Sequence, residues 1–155
     1  MATVEILVFE VGENVLGVNI ADVVEITTSR KVTPVPSMPE AYEGVCDSRG
    51  VVIPVINLYK VLHVSTQPEQ TMFVTCSYTH LSVAFVTGKV HGIKRVESKD
   101  IINPPALLNK GENATHCKLT GVIASNDCNI LLVALDSILK QLGLLDTENA
   151  QQAVH

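Results

Sequence analysis

The stretch YEGVCDSRGVVIPVINLYKVL, residues 42–62, decides the fold of this chain. The dipeptide Arg49-Gly50 interrupts an apolar run at its centre. This pattern predicts a β-hairpin with strands over 44–48 and 51–57, because glycine permits a positive φ at the turn and β-branched residues suit a buried strand. Arg49 then projects a charge from the rim of an apolar sheet, which suits a recognition surface better than a catalytic pocket.

The length and composition indicate a small β protein. A chain of 155 residues is expected to form one compact unit or two tightly fused small subdomains. Hydrophobic residues make up 46% of it, aromatic residues only 4%, and Trp is absent. The core must therefore consist largely of Val, Ile and Leu, a β-branched composition that favours sheet over helix.

The charge and the apolar runs argue against two classes of partner. The formal net charge is −5, and no basic stripe with interleaved aromatic residues is present, so nucleic acid is not expected as a partner. No apolar run approaches the ~20 residues of a membrane span, so direct membrane insertion is not expected. The N-terminus lacks a secretory pattern, and the four scattered cysteines form no C-x-x-C motif. A cytoplasmic location is therefore expected.

Further hairpins and short helical turns are predicted on both sides of the central hairpin. Residues 21–26 are compatible with a strand or with one helical turn followed by a strand. Asp136 is predicted to be the N-cap of a terminal helix that ends near Leu144. The remaining predicted elements are strands at 4–11, 15–19, 72–78, 81–87, 90–96, 119–125 and 128–135, helical turns at 58–62 and 98–102, turns at 12–14, 79–80 and 126–127, and a polar loop at 109–116.

The two halves of the chain resemble each other. Residues 44–62 align without a gap to residues 121–139 with six identities in 19 positions. Each aligned unit is a predicted hairpin followed by a short helix, which indicates two similar, intertwined β subdomains. The predicted single domain covers residues 1–146, its central hairpin 44–57 is echoed at 121–135, and a polar tail follows at 147–155.

The sequence contains no motif that carries catalytic chemistry. There is no G-x-S-x-G elbow, P-loop, H-E-x-x-H motif or glycine-rich dinucleotide turn. The five histidines do not pair at metal-ligand spacings. We therefore expect no catalytic residues, no metal site and no cofactor. A hydrolase would require Ser, His and Asp side chains brought together by the fold.

Glu25 and Arg49 are the two charges that stand out. Glu25 lies within the apolar stretch Val23-Val24-Glu25-Ile26, so its carboxylate is expected to be partly desolvated and to seek a partner. Arg49, at the tip of the apolar hairpin, is one candidate partner. The sequence leaves open whether the two residues pair or act as independent edge charges.

Three segments carry a resemblance to a known family. They are E-G-V-x-x-x-R-G-x-x-I-P-V-I-x-L in the central hairpin, ILVFEVGENVLGVNIADVVEI near the N-terminus, and the proline-punctuated VTPVPSMPEAYEGV between them. In this order and spacing they resemble the CheW-type adaptors of bacterial chemotaxis, over about residues 6–145. The resemblance implies a mainly β fold: two SH3-like five-stranded β-barrel subdomains packed side by side, with short helices that include one at the C-terminus.

The resemblance also implies a function. It implies a non-enzymatic scaffold that joins the regulatory domain of the histidine kinase CheA to the cytoplasmic tip of methyl-accepting chemoreceptors. An apolar groove between the barrels would receive the helical receptor tip, and a separate face would pair with the kinase. The residues that match the family's receptor-side positions are Val23, Glu25, Ile26, Gly44 and Arg49. The structural alternatives are a core position for Val23 and a close backbone approach at Gly44.

Two positions depart from the family pattern. Asn57 stands where the family usually has an acidic residue, and Asp47 adds a negative charge that could compete with Glu25 for Arg49. A CheV-type scaffold, in which a similar domain is fused to a receiver, is the nearest alternative, and this chain would be a receiver-less or truncated relative. The alternative from another class is a small-molecule-binding β-barrel, against which the low aromatic content and the lack of a convergent polar cluster argue.

Overall fold

The computed structural model describes residues 2–28, 30–104, 117–125 and 128–143, most of which form β-strands. Within these ranges the strands are β1 (Thr3–Val11), β2 (Asn14–Asn19), β3 (Val23–Thr28), β4 (Tyr42–Ser48), β5 (Val51–Asn57), β6 (Met72–Tyr78), β7 (Leu81–Thr87), β8 (Val90–Glu97), β9 (Ile101–Ile102), β10 (Lys118–Ile123) and β11 (Ile130–Ala134). Two short helices, α1 (Leu58–Val61) and α2 (Asp136–Gln141), follow β5 and β11. Short 3-10 turns at Ile20–Asp22 and Ser98–Asp100 precede β3 and β9.

The strands form two sheets. The first sheet has the order β8-β1-β2-β11-β10-β9, and the second has the order β3-β6-β7-β5-β4. Neighbouring strands are antiparallel except in the parallel pairs β2–β11 and β5–β7. The prediction of a mainly β fold with two sheets and short helices, one of them near the C-terminus, is confirmed. The first sheet has six strands instead of the predicted five, because β9 extends it beyond β10.

The two sheets repeat one strand arrangement. If β9 is left out, both sheets follow the same five-strand plan. The strands β8, β1, β2, β11 and β10 of the first sheet correspond in position to β3, β6, β7, β5 and β4 of the second. A bulge precedes Gly44 in one hairpin and Gly121 in the other, and these glycines occupy aligned positions in the sequence. Each sheet combines the opening hairpin of one half of the chain with strands from the other half.

The second sheet closes into a barrel through a short segment after β3. Thr33 and Val45 exchange two backbone hydrogen bonds, with N–O distances of 2.8 and 2.9 Å, which join that segment to the edge strand β4. Gly44 permits this approach, since a Cβ atom there would lie 2.1 Å from the carbonyl oxygen of Thr33. The two strands that end the sheet, β3 and β4, are thereby joined at one end of the barrel.

Most of the core lies between the two sheets. Phe9 of β1 and Phe85 of β7 are fully buried there, with Leu58 of α1 and Ile138 and Leu139 of α2. This shared core packs the two sheets and both helices into one unit. A smaller cluster fills the interior of the second barrel and consists of Cys46, Ile53, Val55, Phe73, Ala84 and Val86.

Two predicted elements are wrong in detail. Asp136 is the first residue of α2 and not its N-cap, because Leu135 already has helical φ and ψ of −67° and −24°. The predicted helical turn at 98–102 ends at Asp100, because the next two residues pair with β10 as β9. Residues 21–26 take the second of their two predicted forms, a 3-10 turn followed by a strand. The predicted turn at 126–127, loop at 109–116 and tail at 147–155 lie outside the described residues.

We expect Asp22→Asn to stabilise the fold at neutral pH. Burial, and then the negative charge of Asp136, raise the pKa of the Asp22 carboxyl above its ordinary value of 3.8. The folded chain therefore binds this proton more tightly than the unfolded chain, so stability falls as the pH rises through the folded pKa. Urea denaturation should show a gain of about 0.5 kcal/mol at pH 7, small because the group is only partly buried. The gain should vanish below pH 3.8, and an equal gain at every pH would contradict this origin.

Candidate docking face

The tip of the central hairpin is a two-residue turn. β4 and β5 pair as predicted and leave Arg49 and Gly50 between them. Both residues have positive φ, +53° and +83°, as in a type I′ turn, which follows the twist of the flanking strands. The amide of Gly50 donates a hydrogen bond of 2.8 Å to Oδ1 of Asp47. The turn therefore holds the exposed Arg49 at the rim with a defined backbone geometry.

Apolar side chains accompany this charge. Val51 and Val52, directly after the turn, are 61% and 67% exposed. Val24 and Ile26 are exposed on β3, the other edge strand of the same barrel. Exposed apolar residues beside an arginine are typical of a protein–protein interface. We define the docking face as Arg49, Val51 and Val52 at the tip together with Val24 and Ile26 on β3.

Glu25 pairs with Arg30 and not with Arg49. Its Oε1 atom accepts a hydrogen bond from Nη2 of Arg30, and the two side chains are only 20% and 19% exposed. None of the described residues forms an ion pair with Arg49. A pairing of Glu25 with Arg49 is therefore wrong, because the segment after β3 folds over the barrel end and places Arg30 against the carboxylate. Asp47 does not compete for Arg49 either, since its carboxylate accepts the Gly50 amide.

Arg30 is the residue that the sequence analysis missed. Its Nη1 atom donates to the backbone carbonyl of Asp47 at 2.8 Å, and its Nε atom donates to Oγ1 of Thr27 at 3.1 Å. The five-residue separation from Glu25 matches neither the strand nor the helix period, and Arg30 follows the end of a strand. The only available signal was the partly desolvated carboxylate of Glu25, which required a cation without indicating which one.

Glu25 and its neighbour on β6 each carry one buried side-chain oxygen without a hydrogen-bond partner among the described residues. Thr75 lies opposite Glu25 in the β3–β6 register and is 2% exposed. Oε2 of Glu25 and Oγ1 of Thr75 are both buried, and neither has a hydrogen-bond partner in the part of the chain that the structure describes. Buried polar atoms without a partner cost free energy, so this barrel end is less stable than a fully paired one.

We expect Thr75→Val to leave the stability unchanged or to raise it by up to ~1 kcal/mol, because valine keeps the shape of threonine and removes an unpaired hydroxyl. Thr87→Val is the matched control: Thr87 is also fully buried, but its hydroxyl donates to the carbonyl oxygen of Gly88 at 3.1 Å. The control variant should lose about 1 kcal/mol in urea denaturation. Equal losses in the two variants would show that the Thr75 hydroxyl has a partner.

Val23 and Gly44 belong to the framework of the barrel. Val23 begins β3 and packs, partly buried, against the core between the sheets. Gly44 is buried under the backbone of Thr33. Of the five predicted receptor-side residues, Glu25 and Ile26 lie on β3 and Arg49 lies at the tip of the central hairpin, and Arg30 links Glu25 to Asp47 beside that tip. Contact of any of the five with a partner stays a prediction.

Asn57 ties the end of the central hairpin to the loop after α1. It is 1% exposed, and its Oδ1 atom accepts the amide of Tyr59 and so caps α1. Its Nδ2 atom donates to Oε1 of Glu43 at 2.7 Å and to Oε1 of Gln67 at 2.9 Å. Nζ of Lys60 lies 3.1 Å from the same oxygen of Glu43. The amide of Asn57 thus satisfies two acceptors that a carboxylate at this position would repel.

Restoring the family's acidic residue by Asn57→Asp is expected to destabilise this chain. The new carboxylate would be buried beside Glu43 and would lose both donor hydrogens, a loss of about 1–3 kcal/mol at pH 7. The double variant Glu43→Gln/Asn57→Asp should recover most of that loss in urea denaturation, because one amide and one carboxylate again face each other. A single variant as stable as the parent would show that Lys60 neutralises the pair.

The described residues form a large groove and a filled barrel interior apart from the docking face. A groove of about 930 Å³ is lined by Glu10, Thr28, Lys89 and the 66–72 segment, among others, and none of the predicted receptor-side residues lines it. Side chains fill the interior of the second barrel, so no specific observation favours the small-molecule alternative. In the described ranges, no three His, Cys, Asp or Glu side chains are grouped to hold a metal ion. The helices in those ranges are too short or too polar to cross a membrane.

The chain is similar to chemotaxis proteins in sequence and in structure. The chemotaxis protein CheW of Thermotoga maritima is 26% identical over 141 residues, 89% of each chain. The chemotaxis protein CheV3 of Helicobacter pylori is 28% identical over 145 residues, 90% of this chain and 46% of that protein. The solved structure of the scaffolding protein TtCheW from Thermoanaerobacter tengcongensis matches the fold with a TM-score of 0.79 and 23% identity, over 95% of this chain and 99% of that one.

A family model covers nearly the whole described chain. The model for the CheW-like domain matches residues 5–143, which run from β1 to the end of α2 and include both sheets. The match therefore takes in the central hairpin, the docking face and the shared core together. The chain belongs to the CheW-like domain family.

Proposed function

We propose that this chain is a non-enzymatic chemotaxis adaptor in the cytoplasm, which links methyl-accepting chemoreceptors to the histidine kinase CheA. The family match over residues 5–143 is the observation that carries the proposal. The relative from Thermotoga maritima, which aligns over 89% of both chains, is a chemotaxis protein by name. An adaptor needs only binding surfaces on a stable framework, and a shared core that packs two sheets together supplies such a framework.

The docking face supports the receptor side of the proposal. Arg49 is an exposed cation on a rigid turn, and Val51 and Val52 beside it offer apolar surface. A helical receptor tip that covered the valines would desolvate the guanidinium, which then needs a carboxylate or a carbonyl oxygen from the partner. The docking face thus fits a partner that combines an apolar helix surface with an acidic or carbonyl-rich end.

The shared core explains how such an adaptor transmits a signal without chemistry. Coupling between two binding sites requires that occupation of one changes the free energy of binding at the other. Residues of β1, β7, α1 and α2 pack into one core, which would hold a partner bound on one sheet in register with a partner bound on the other. The kinase would bind a face separate from the one that receives the receptor tip.

Co-elution of three components tests the adaptor function. The tagged chain is mixed with the regulatory domain of CheA and with the cytoplasmic tip fragment of a chemoreceptor from the same organism. We expect both proteins to be retained, and we expect the chain to be required for retention of the receptor fragment on immobilised kinase. Retention of neither partner would refute the proposal, and retention of one alone would reduce the adaptor to a single-partner binding module.

A CheV-type adaptor is the second candidate function. The CheV3 protein aligns with 90% of this chain but extends well beyond it, since the aligned part is 46% of that protein. The two candidates share the same docking chemistry and differ in whether a receiver regulates it. The sequence of the whole gene separates them.

A further inference from the structure

Arg30 spans the gap between two edge strands. Its guanidinium donates to Oε1 of Glu25 and to the backbone carbonyl of Asp47, and its Nε atom donates to Oγ1 of Thr27. Glu25 and Thr27 belong to β3, whereas Asp47 belongs to β4. These strands lie at opposite ends of the strand order and meet only because the barrel closes. One side chain therefore connects both edges of the second sheet.

This connection continues into the turn that carries Arg49. The carbonyl oxygen of Asp47 accepts from Arg30, and the side-chain Oδ1 of the same residue accepts from the amide of Gly50 at 2.8 Å. Asp47 is thus held twice: the Arg30 guanidinium binds its carbonyl oxygen, and the Gly50 amide binds its carboxylate. Loss of Arg30 would free the carbonyl of Asp47 and leave the turn held by the β4–β5 ladder and the Gly50–Asp47 hydrogen bond, without a link to β3 through Arg30.

Cys46 belongs to the cluster of side chains that fills the interior of the second barrel. It is 4% exposed and directly precedes Asp47, whose carbonyl oxygen accepts from Arg30. Burial raises the pKa of the Cys46 thiol, and the positive charge of Arg30 partly opposes this increase. The thiol is therefore within electrostatic reach of the clasp, and its accessibility reports whether the barrel end is open.

We propose that Arg30 is a positioning residue of the docking face: it clasps β3 to β4 and holds the turn that presents Arg49, while Glu25 holds Arg30 instead of contacting the partner. The inference rests on the proposed adaptor function and gives Glu25 an internal role. The position requires arginine, because a planar guanidinium with five N–H donors reaches three acceptors at once, whereas the compact ammonium of a lysine does not reproduce that fork.

Arg30→Met tests the clasp, with Lys31→Met as the matched control that removes the neighbouring exposed charge. Both are made in a Cys128→Ser background, because Cys128 is an exposed free cysteine. In Arg30→Met we expect hydrogen exchange at the Gly50 amide and thiol labelling of Cys46 to become about tenfold faster, and affinity for the receptor tip fragment in calorimetry to fall about tenfold. Arg30→Lys should reverse less than half of each change, when the exchange rate, the labelling rate and the affinity are compared as logarithms. Lys31→Met should change each quantity by less than about twofold.

Each alternative outcome identifies the part that fails. Unchanged exchange and labelling in Arg30→Met would overturn the clasp. Faster exchange with unchanged affinity would overturn the positioning role, and weaker affinity with unchanged exchange would mean that Arg30 touches the partner directly. If the parent chain does not bind the receptor fragment, the adaptor function fails, and exchange and labelling alone decide the clasp.

A second variant keeps the test valid if Arg30→Met does not fold. That variant leaves the Glu25 carboxylate buried without a cation, and the charge alone could unfold the chain. Glu25→Gln/Arg30→Met removes the charge together with the clasp. We expect it to fold and to show the same faster exchange at Gly50 and the same loss of affinity, and parent-like values for both would overturn the proposal.

Discussion

Gly44→Val is expected to open the second barrel and to lower the free energy of unfolding by more than ~3 kcal/mol. A Cβ atom at this position would lie 2.1 Å from the carbonyl oxygen of Thr33 and 2.9 Å from Cα of Pro34. Both contacts are with backbone, which cannot turn aside as a flexible side chain does. The backbone φ of +138° adds strain for any residue other than glycine. The pair of hydrogen bonds between Thr33 and Val45 must therefore break.

Gly92→Val separates the steric clash from the backbone strain. Gly92 also has a positive φ, +111°, but a Cβ atom there would meet nothing within 4 Å. We expect this control to lose only about 1–2 kcal/mol in urea denaturation, the cost of strain alone. The comparison also decides the role of Gly44 in docking. A Gly44→Val variant with the stability of the parent and no affinity for the receptor tip would show that this residue touches the partner.

Arg49→Glu is expected to weaken binding of the receptor tip by tenfold or more without a measurable change in stability. A charged contact that becomes buried in an interface costs about 2–5 kcal/mol when one member is reversed. The exposed Arg49 has no ion-pair partner among the described residues, so the folded chain loses little when its charge changes. Calorimetry with the tip fragment measures the affinity, and urea denaturation measures the stability.

Arg95→Glu is the matched control for the change in net charge. Arg95 lies on β8 of the other sheet, 70% exposed and 3.9 Å from Oε1 of Glu5. The same charge reversal there should alter the affinity by less than about threefold if its effect is only long-range. Equal losses in both variants would mean that overall charge, and not the position of Arg49, governs binding.

Adding Glu25→Arg to Arg49→Glu is not expected to recover the affinity for the receptor tip that Arg49→Glu loses. Glu25 is bound to Arg30, so Glu25→Arg would place two guanidinium groups together at the barrel end and add a new repulsion to the loss at the tip. A double-mutant cycle of Glu25→Arg and Arg49→Glu should therefore show coupling near zero in affinity. Strong positive coupling would mean that the two side chains meet in the complex.

The local pattern of the sequence was sufficient to predict most of the fold. Apolar runs interrupted by Arg49-Gly50 and Thr79-His80 predict hairpins that the structure contains, because turn chemistry and strand period act over a few residues. The order of strands in the sheets depends on pairings distant in sequence, which local pattern does not encode. For the same reason β9 was predicted as helix: its two residues are extended because β10 pairs with them.

The candidate site was only partly predictable. The exposed tip and its glycine follow from the hairpin, and the need of Glu25 for a cation follows from its apolar neighbours. The identity of that cation depends on how the segment after β3 folds over the barrel, and three prolines in its continuation erase any period that would have indicated it. Gly44 illustrates a related limit, since the steric reason for glycine lies in Thr33, eleven positions earlier in a segment with no predicted pairing.

The pairing of the opening hairpin, β1–β2, with strands from the end of the chain determines when the first sheet can form during synthesis. β1 and β2 leave the ribosome first, but the strands that flank them, β8 and β11, are made much later. The apolar side of the opening hairpin thus stays exposed while about a hundred residues are added. Native pairings between residues so far apart in sequence form slowly. The first sheet is consequently completed only after β11 is made, whereas all strands of the second sheet are available once β7 is made.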